Sequence, residues 1–378
     1  MTEHDIPVTT ALRQQFADEG AQQCRDLGLD EHHVAPWEDG FRTADEAHAF
    51  EWWYFDAQFD DGSNLVVTFS TKPHTHPEGP LLPQLLVIHR TADGTSTKRT
   101  ISYAAEDFRA ASGRDATCDV AIGPNTVTGD LATYDLHVET DDLAVDLRIE
   151  RKAPSWRPSS GYSYFTKDNS KYLAWVVPIP YGTASGTVTP KGAEPQQVNG
   201  FAYHDHNWGN ALMGDNLDHW YWGRARVGDY SVIYVQMTTA KVFGLGGIHL
   251  PVWFLAKGDD VVTDDGLSLT LELGPTTEGP GGQDYPTALT WRWRRDAAND
   301  AEGDPDGYGE ITLTVDDVTL IEVLDMTEDM PEWKRRVTHL FKNPLYYDFD
   351  AHARLDVDYR GVRETVTGRT LFEKMMFR

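Results

Sequence analysis

The chain has 378 residues, 40% of them hydrophobic and including 12 Trp, 16 Tyr and 15 Phe, which is enough apolar side chain for a large core and two or three domains. Its formal charge of −27, from 60 acidic and 33 basic residues, repels nucleic-acid phosphates and anionic lipid headgroups and argues against DNA, RNA and membrane-surface partners. Two cysteines, Cys24 and Cys118, exclude a disulfide framework and a cysteine-based zinc site.

The start, MTEHDIPVTT, has neither the basic run nor the apolar stretch of a signal peptide. No later segment approaches the roughly 20 apolar residues that span a bilayer. A cytoplasmic protein is the expectation. Residues 9–27 fit one amphipathic helix on which Leu12, Phe16 and Leu27 can share a face. The segment that follows, through Pro36 and Gly40, reads as a linker. From Phe50 the texture changes to short strands. Glu51–Phe55 and Asn64–Phe69, separated by Asp60-Asp61-Gly62, predict a hairpin. Further strands are expected at Leu85–His89, Val120–Ile122, Tyr134–Glu139, Leu143–Glu150 and Tyr172–Val177. The second half repeats the pattern at His219–Arg226, Tyr230–Met237, Val252–Ala256, Leu267–Leu273, Ala288–Arg294, Ile311–Val315, Ala351–Tyr359 and Thr370–Phe377. Pro331–Asn343 is the one helical stretch there, and residues 274–286 and 296–309 read as exposed loops. Many short strands at near-regular spacing predict antiparallel barrels or sandwiches.

Two clusters can carry chemistry. In Glu51-Trp52-Trp53-Tyr54, strand alternation puts Glu51 and Trp53 on one face and Trp52 and Tyr54 on the other. A carboxyl among large aromatics is desolvated, which raises its pKa and fits it to donate a proton; an Arg or backbone amides could equally satisfy it. In Tyr203-His204-Asp205-His206-Asn207-Trp208-Gly209, an extended backbone would align His204, His206 and Trp208 on one face and Tyr203, Asp205 and Asn207 on the other. Asp205 and His206 could work as an acid–base pair. A His-x-His pair could also begin a metal site, with His219 or the His74-x-His76 pair completing it, but no HExxH motif supports that. The same residues favour tight turns, so a structural role stands beside these. Downstream, Trp220-Tyr221-Trp222-Gly223-Arg224 and Tyr234 supply aromatic faces that can shield a carbocation, and Arg224 is a natural partner for Glu51 or Asp205. No GxSxG elbow, P-loop or dinucleotide fingerprint follows a predicted strand; Gly244-Leu245-Gly246-Gly247 is only a superficial likeness.

At these residues the sequence resembles the carotenoid 1,2-hydratase (hydroxyneurosporene synthase) and AttH-like superfamily, which also includes lipocalin-like Diels–Alderases. Glu51–Phe55, Tyr203–Gly209, Trp220–Arg224 and the closing Gly368-Arg369-Thr370-Leu371-Phe372-Glu373 carry the resemblance, over roughly residues 45–378. It implies an all-β fold of two tandem lipocalin-like antiparallel β-barrels, with a short N-terminal helix and one helix in the C-terminal half. The expected organisation is a helical arm and linker over 1–44, an N-terminal barrel over 45–205 and a C-terminal barrel over 206–378. The His-x-Trp pair of the hydratases maps onto His206 and Trp208. The resemblance implies an apolar ligand pocket near the junction of the barrels, and chemistry without metal or redox cofactor.

The leading expectation is a hydratase or cyclase acting on a hydrophobic isoprenoid, carotenoid or polyene. Asp205 or Glu51 protonates an alkene, Trp208, Trp53 and Trp222 shield the cation, and His206 handles water or an internal hydroxyl. Asp205, His206, Glu51 and Trp208 are the candidate catalytic residues. Trp53, Tyr54, Tyr203, His204, Trp222, Arg224 and Tyr234 are the candidate substrate-binding residues. The alternatives are a pericyclase, in which the pocket supplies conformation rather than a proton, and a non-catalytic polyene carrier.

Overall fold

A computed structural model describes residues 10–240, 247–297, 307–327 and 344–377. They form two compact units, Gly20–Leu212 and Met213–Arg378, the latter grouped with Met1–Glu19. Nearly all the regular structure is antiparallel β, as expected. Helix α1 spans Thr10–Leu27. Phe16 is 47% exposed, and the same face packs one and two turns further on, where Cys24 is buried. The face is set by close approach rather than by bulk: a Cβ on Gly20 would lie 2.3 Å from Ser159 Oγ, and Ser160 Oγ donates to Gln23 Oε1 at 2.7 Å. The supposed linker is also part of the folded core. Pro36–Asp39 is a 3-10 turn whose Glu38 and Asp39 are buried.

The first unit is a twelve-stranded sheet. In chain order its strands are β1 (Phe50–Phe59), β2 (Asn64–Ser70), β3 (Gln84–Arg90), β4 (Ser96–Ser102), β5 (Phe108–Ala110), β6 (Cys118–Ile122), β7 (Asn125–Gly129), β8 (Thr133–Glu139), β9 (Leu143–Arg151), β10 (Tyr162–Tyr164), β11 (Tyr172–Pro190) and β12 (Gln196–Gly209). The spatial order is β4-β3-β2-β1-β12-β11-β9-β8-β7-β6-β5, with β10 beside β11. Strands β4 and β5 are its edges, so the sheet curls around its core as a half-barrel without closing through a ladder. Alternation drives the curl. On β9, Leu143, Val145, Leu147 and Ile149 are buried while Asp146, Arg148 and Glu150 are exposed, the two-residue period of a strand with one wet face. The predicted turn at Asp60–Gly62 forms, with Gly62 at φ +88° and Asp61 Oδ1 accepting from the Ser63 amide at 2.8 Å.

The second unit is a nine-stranded sheet of β13 (Leu217–Val227), β14 (Tyr230–Thr239), β15 (His249–Lys257), β16 (Asp260–Thr263), β17 (Leu269–Leu273), β20 (Leu289–Arg295), β21 (Gly309–Asp325), β22 (Leu345–Tyr359) and β23 (Val362–Met376), with a separate hairpin of β18 (Thr276–Glu278) and β19 (Asp284–Pro286). Its order is β16-β15-β14-β13-β23-β22-β21-β20-β17. Trp253, Trp291, Trp293, Tyr234, Tyr347, Phe349 and Phe372 fill its core. The hairpin replaces part of the expected loop at 274–286. The expected helix at Pro331–Asn343 and most of the expected loop at 296–309 lie outside the described residues. No helix among the described residues is long and apolar enough to cross a membrane.

Candidate active site

Strand β1 runs antiparallel to β12 in a register that sets Glu51 opposite Trp208, Trp53 opposite His206 and Phe55 opposite His204. Directly opposed residues share a face. Glu51, Trp53, Phe55, His204, His206 and Trp208 therefore all point to the core side of the first sheet. There they meet Asp39, delivered by the 3-10 turn. Glu51, Asp39, His204 and His206 are at most 2% exposed. His206 Nε2 lies 2.7 Å from Glu51 Oε1. Its Nδ1 lies 3.2 Å from Asp39 Oδ1, close enough for an ion pair but off the line of a hydrogen bond. Burial works against charge on this ring, but the two flanking carboxylates win and raise its pKa, favouring the imidazolium. The ring stacks on Trp53 at 4.6 Å between centroids.

Asp39 is the hub of this network. Its Oδ2 lies 3.1 Å from His204 Nε2 and accepts from the Tyr134 hydroxyl at 2.5 Å. His204 Nδ1 contacts the Tyr54 carbonyl oxygen at 2.9 Å, and its ring stacks on Phe55 at 3.9 Å. Burial pushes the Asp39 carboxyl up, yet the two imidazoles outweigh it and hold it well below the ordinary carboxylate range. Glu51 Oε1 also accepts from the Arg42 amide at 2.7 Å, and Oε2 from the Thr43 amide at 2.8 Å. Glu51 is thereby tied to His206 on one side and to two backbone amides on the other.

The opposite face of β12 presents a different carboxyl. Asp205 is cross-strand from Tyr54, and Trp175 on β11 is opposite Asn207. Asp205 Oδ2 accepts from the Tyr203 hydroxyl at 2.8 Å and from Trp175 Nε1 at 3.1 Å, and Oδ1 accepts from Asn207 Nδ2 at 2.8 Å. Burial is the largest influence on it; it outweighs these donors and the nearby His204 charge and raises the pKa to about 6. Aromatic rings surround the carboxyl: Tyr54 lies 6.3 Å from Tyr203, and Trp175 lies 5.7 Å from Trp156. Trp52 shares this face, with its ring 5.8 Å from His74, whose pKa burial lowers to about 4.

The expected site thus divides. Glu51, Trp53, His204, His206 and Trp208 come together on one face of β12; Tyr54, Tyr203 and Asp205 come together on the other. Asp205 and His206, adjacent in sequence, are kept apart by the strand itself. The segment is fully extended rather than turned. Trp222, Arg224 and Tyr234 lie in the second unit, on β13 and β14. The partner of Glu51 is an imidazole, not an arginine. Asp39, Tyr134 and Trp175 were not foreseen. The acidic, tryptophan-bearing Trp37-Glu38-Asp39 within an apparent linker was the one available signal for Asp39.

Asp39, Cys118 and His204 each offer a potential metal-ligand atom within 4.8 Å of the others. Asp39 Oδ2 is engaged by His204 and Tyr134, and burial together with the Asp39 charge pushes the Cys118 thiol well up.

The fold is shared with several solved structures. It is similar to CghA (TM-score 0.59, 13% identity, covering 87% of this chain and 88% of that one) and to an AttH protein of Nitrosomonas europaea (0.57, 17%, 91% and 96%). It is also similar to kievitone hydratase of Nectria haematococca (0.51, 14%, 86% and 88%). In sequence it is 26% identical over 215 residues to a hydroxyneurosporene dehydrogenase of Chlorobaculum tepidum, a match that spans 48% of this chain and about half, 54%, of that protein. It is 25% identical over 279 residues to the quinolone epoxide rearrangement protein asqO of Emericella nidulans, spanning 66% of this chain and 70% of the relative. No family model matches the chain.

Proposed function

We propose that the chain is a hydratase or cyclase for an apolar, unsaturated small molecule of isoprenoid or polyene type, with Asp205 as its proton donor. The observation that supports this most is the setting of Asp205: a carboxyl 8% exposed, oriented by an indole, a phenol and an amide, on a face covered with aromatic rings. A carboxyl titrating near pH 6 holds a usable fraction of protonated acid near neutrality and takes the proton back readily. In the reaction the Asp205 O–H bond breaks as a C–H bond forms on the alkene. The faces of Trp175, Tyr54 and Tyr203 stabilise the tertiary cation. Water, or a hydroxyl of the substrate, then adds to the cation and returns a proton to the Asp205 carboxylate. Atoms and electrons balance without any redox partner. Of the sequence-derived candidates, His206, Glu51 and Trp208 support this strand from behind rather than touching substrate.

The likeness to a kievitone hydratase and to a quinolone epoxide rearrangement protein supports the same acid in two guises, protonating an alkene or an epoxide oxygen. The test is product formation by wild type and Asp205→Asn from isoprenoid, polyene and epoxide substrates. The proposal expects at least a hundredfold loss in the variant with substrate binding retained. Undiminished turnover by Asp205→Asn would leave conformational control of a pericyclic reaction as the better account. Recovery of every substrate unchanged from wild type would mark a carrier.

A further inference from the structure

The second unit carries a polar set that the proposed reaction does not use. On the core side of its sheet, register places Met376, His219, Thr238 and His249 in one row across β23, β13, β14 and β15. The next row inward holds Tyr347, Lys374, Tyr221 and Gln236, and the row beyond it Phe349, Phe372, Gly223, Tyr234 and Trp253. Polar groups thus stand over an aromatic floor. In the first row the Thr238 hydroxyl lies 3.3 Å from His219 Nε2 and 3.1 Å from His249 Nδ1, and Asp218 Oδ2 lies 2.8 Å from His219 Nδ1.

Lys374 is the anomaly. It is 7% exposed, and its ammonium has one hydrogen-bond acceptor among the described residues, the carbonyl oxygen of Asp284. Lys72 in the first unit shows what a satisfied buried ammonium looks like: its Nζ donates to the carbonyl oxygens of Ala47, Pro77 and Gly79 at 2.8, 3.3 and 2.7 Å, one for each hydrogen. By that standard Lys374 has two donors left over. Deeper in the same core, the indole N–H groups of Trp253 and Trp291 are buried without an acceptor. Buried donors are almost always paired, because an unpaired one loses its hydration for nothing in return. The imbalance here is one-sided. Every unpaired buried side-chain group described in this unit is a donor and none is an acceptor. What is missing is therefore an acceptor: the Asp284 and Asp218 carboxylates act on the ammonium through space, but its one hydrogen bond among the described residues goes to a carbonyl oxygen.

We propose that the core side of the second sheet binds an apolar molecule bearing a carboxylate, with Lys374 holding the carboxylate and the indole N–H groups of Trp253 and Trp291 taking oxygen functions further along it. Tyr221, Tyr347, Phe349 and Phe372 supply the apolar wall. This site shares no residue with the Asp205 face and stands or falls apart from it.

The probe is cis-parinaric acid, a fluorescent polyene carboxylate, compared with its methyl ester on the full chain. The site predicts saturable binding of the acid, at least tenfold tighter than the ester. In Lys374→Met, which keeps the aliphatic stem, the acid should weaken to the level of the ester. In ¹⁵N-indole spectra of wild type, assigned with Trp253→Phe and Trp291→Phe, at least one of the two indole signals should move on addition of the acid. The wild-type comparison needs no variant to fold. Equal affinity for acid and ester, or no binding of either, overturns the proposal. So does binding that leaves both indole signals in place, which would mean that ordered water alone satisfies these donors.

Discussion

Asp205→Asn should make the protein more stable while removing its activity, and the size of the gain follows from the burial of this carboxyl. Charging Asp205 in the folded state is disfavoured because its pKa rises from the ordinary 3.8 to about 6. At about 1.4 kcal/mol per pH unit, that difference amounts to roughly 3 kcal/mol. The sign is that of a raised folded pKa. The native state holds this proton more tightly than the unfolded chain, so its advantage is complete below pH 3.8 and is lost as pH rises to about 6. Above that the wild type carries the whole penalty. Asparagine carries none of it. Its amide oxygen can still accept from Tyr203 and Trp175, but its amide nitrogen faces the Asn207 amide, an offset of about 1 kcal/mol for one mismatched hydrogen bond. Urea unfolding of both proteins from pH 4 to pH 8 should show a variant less stable by up to about 1 kcal/mol at the acid end and more stable by roughly 2 kcal/mol at the alkaline end. A variant that is less stable at pH 8, or whose advantage does not grow between pH 4 and pH 7, would refute the reasoning.

Glu51→Gln should destabilise by roughly 3 kcal/mol, because it removes the carboxylate hydrogen-bonded to a buried imidazolium and leaves Asp39 alone to compensate it; thermal unfolding measures it. Arg157→Met breaks a buried ion pair with Glu38 and the bonds from the guanidinium to the carbonyl oxygens of Asp30 and His33, so a loss of about 3–5 kcal/mol and faster proteolysis within residues 25–38 are expected. The Asp39–His206 pairing should confine stability to an intermediate pH range. The depressed carboxyl of Asp39 contributes above pH 3.8 and is lost as acid protonates it. The raised imidazole of His206 contributes fully below pH 6.5 and is lost as alkali removes its proton. Asn substitution at His206 should flatten the alkaline limb of a denaturation series.

The fold was legible in the sequence because most strands advertise themselves by alternation. β9 and β22 bury every second side chain along their length. β4 carries no such signal: Ser96-Thr97-Lys98-Arg99-Thr100 is exposed throughout, and an edge strand is held by its ladder rather than by a buried face. β11 runs on past the expected Val177 to Pro190, through Pro178-Ile179-Pro180. The strand passes through it by shifting register between Val176 and Gly182. The meeting of Glu51 with His206 was legible too, as two aromatic-rich segments with matching alternation. Asp39 was not. A single carboxyl brought in by a short turn has no periodicity to betray it, and its burial is accounted for only by its contacts with two imidazoles and a phenol in three dimensions.

The division of β12 into two faces explains why one strand carries so many ionisable groups. His204 and His206 are held from behind by Asp39 and Glu51, each of which is fixed in turn by a phenol or by backbone amides. This buried network, anchored by Tyr134 and by the Arg42 and Thr43 amides, holds the backbone of residues 204–206 in one position, with Asp39 Oδ1 and His206 Nδ1 in ion-pair range but not hydrogen-bonded. Asp205 extends from that same backbone to the other side. There its three neutral donors orient it without cancelling the cost of its burial. The inner face therefore fixes where the acid points, and the outer face sets how strongly it holds its proton. Neither could be changed into the other by a small displacement, because moving the strand by one residue would put the imidazoles among the aromatics and the lone carboxyl beside Asp39 and Glu51.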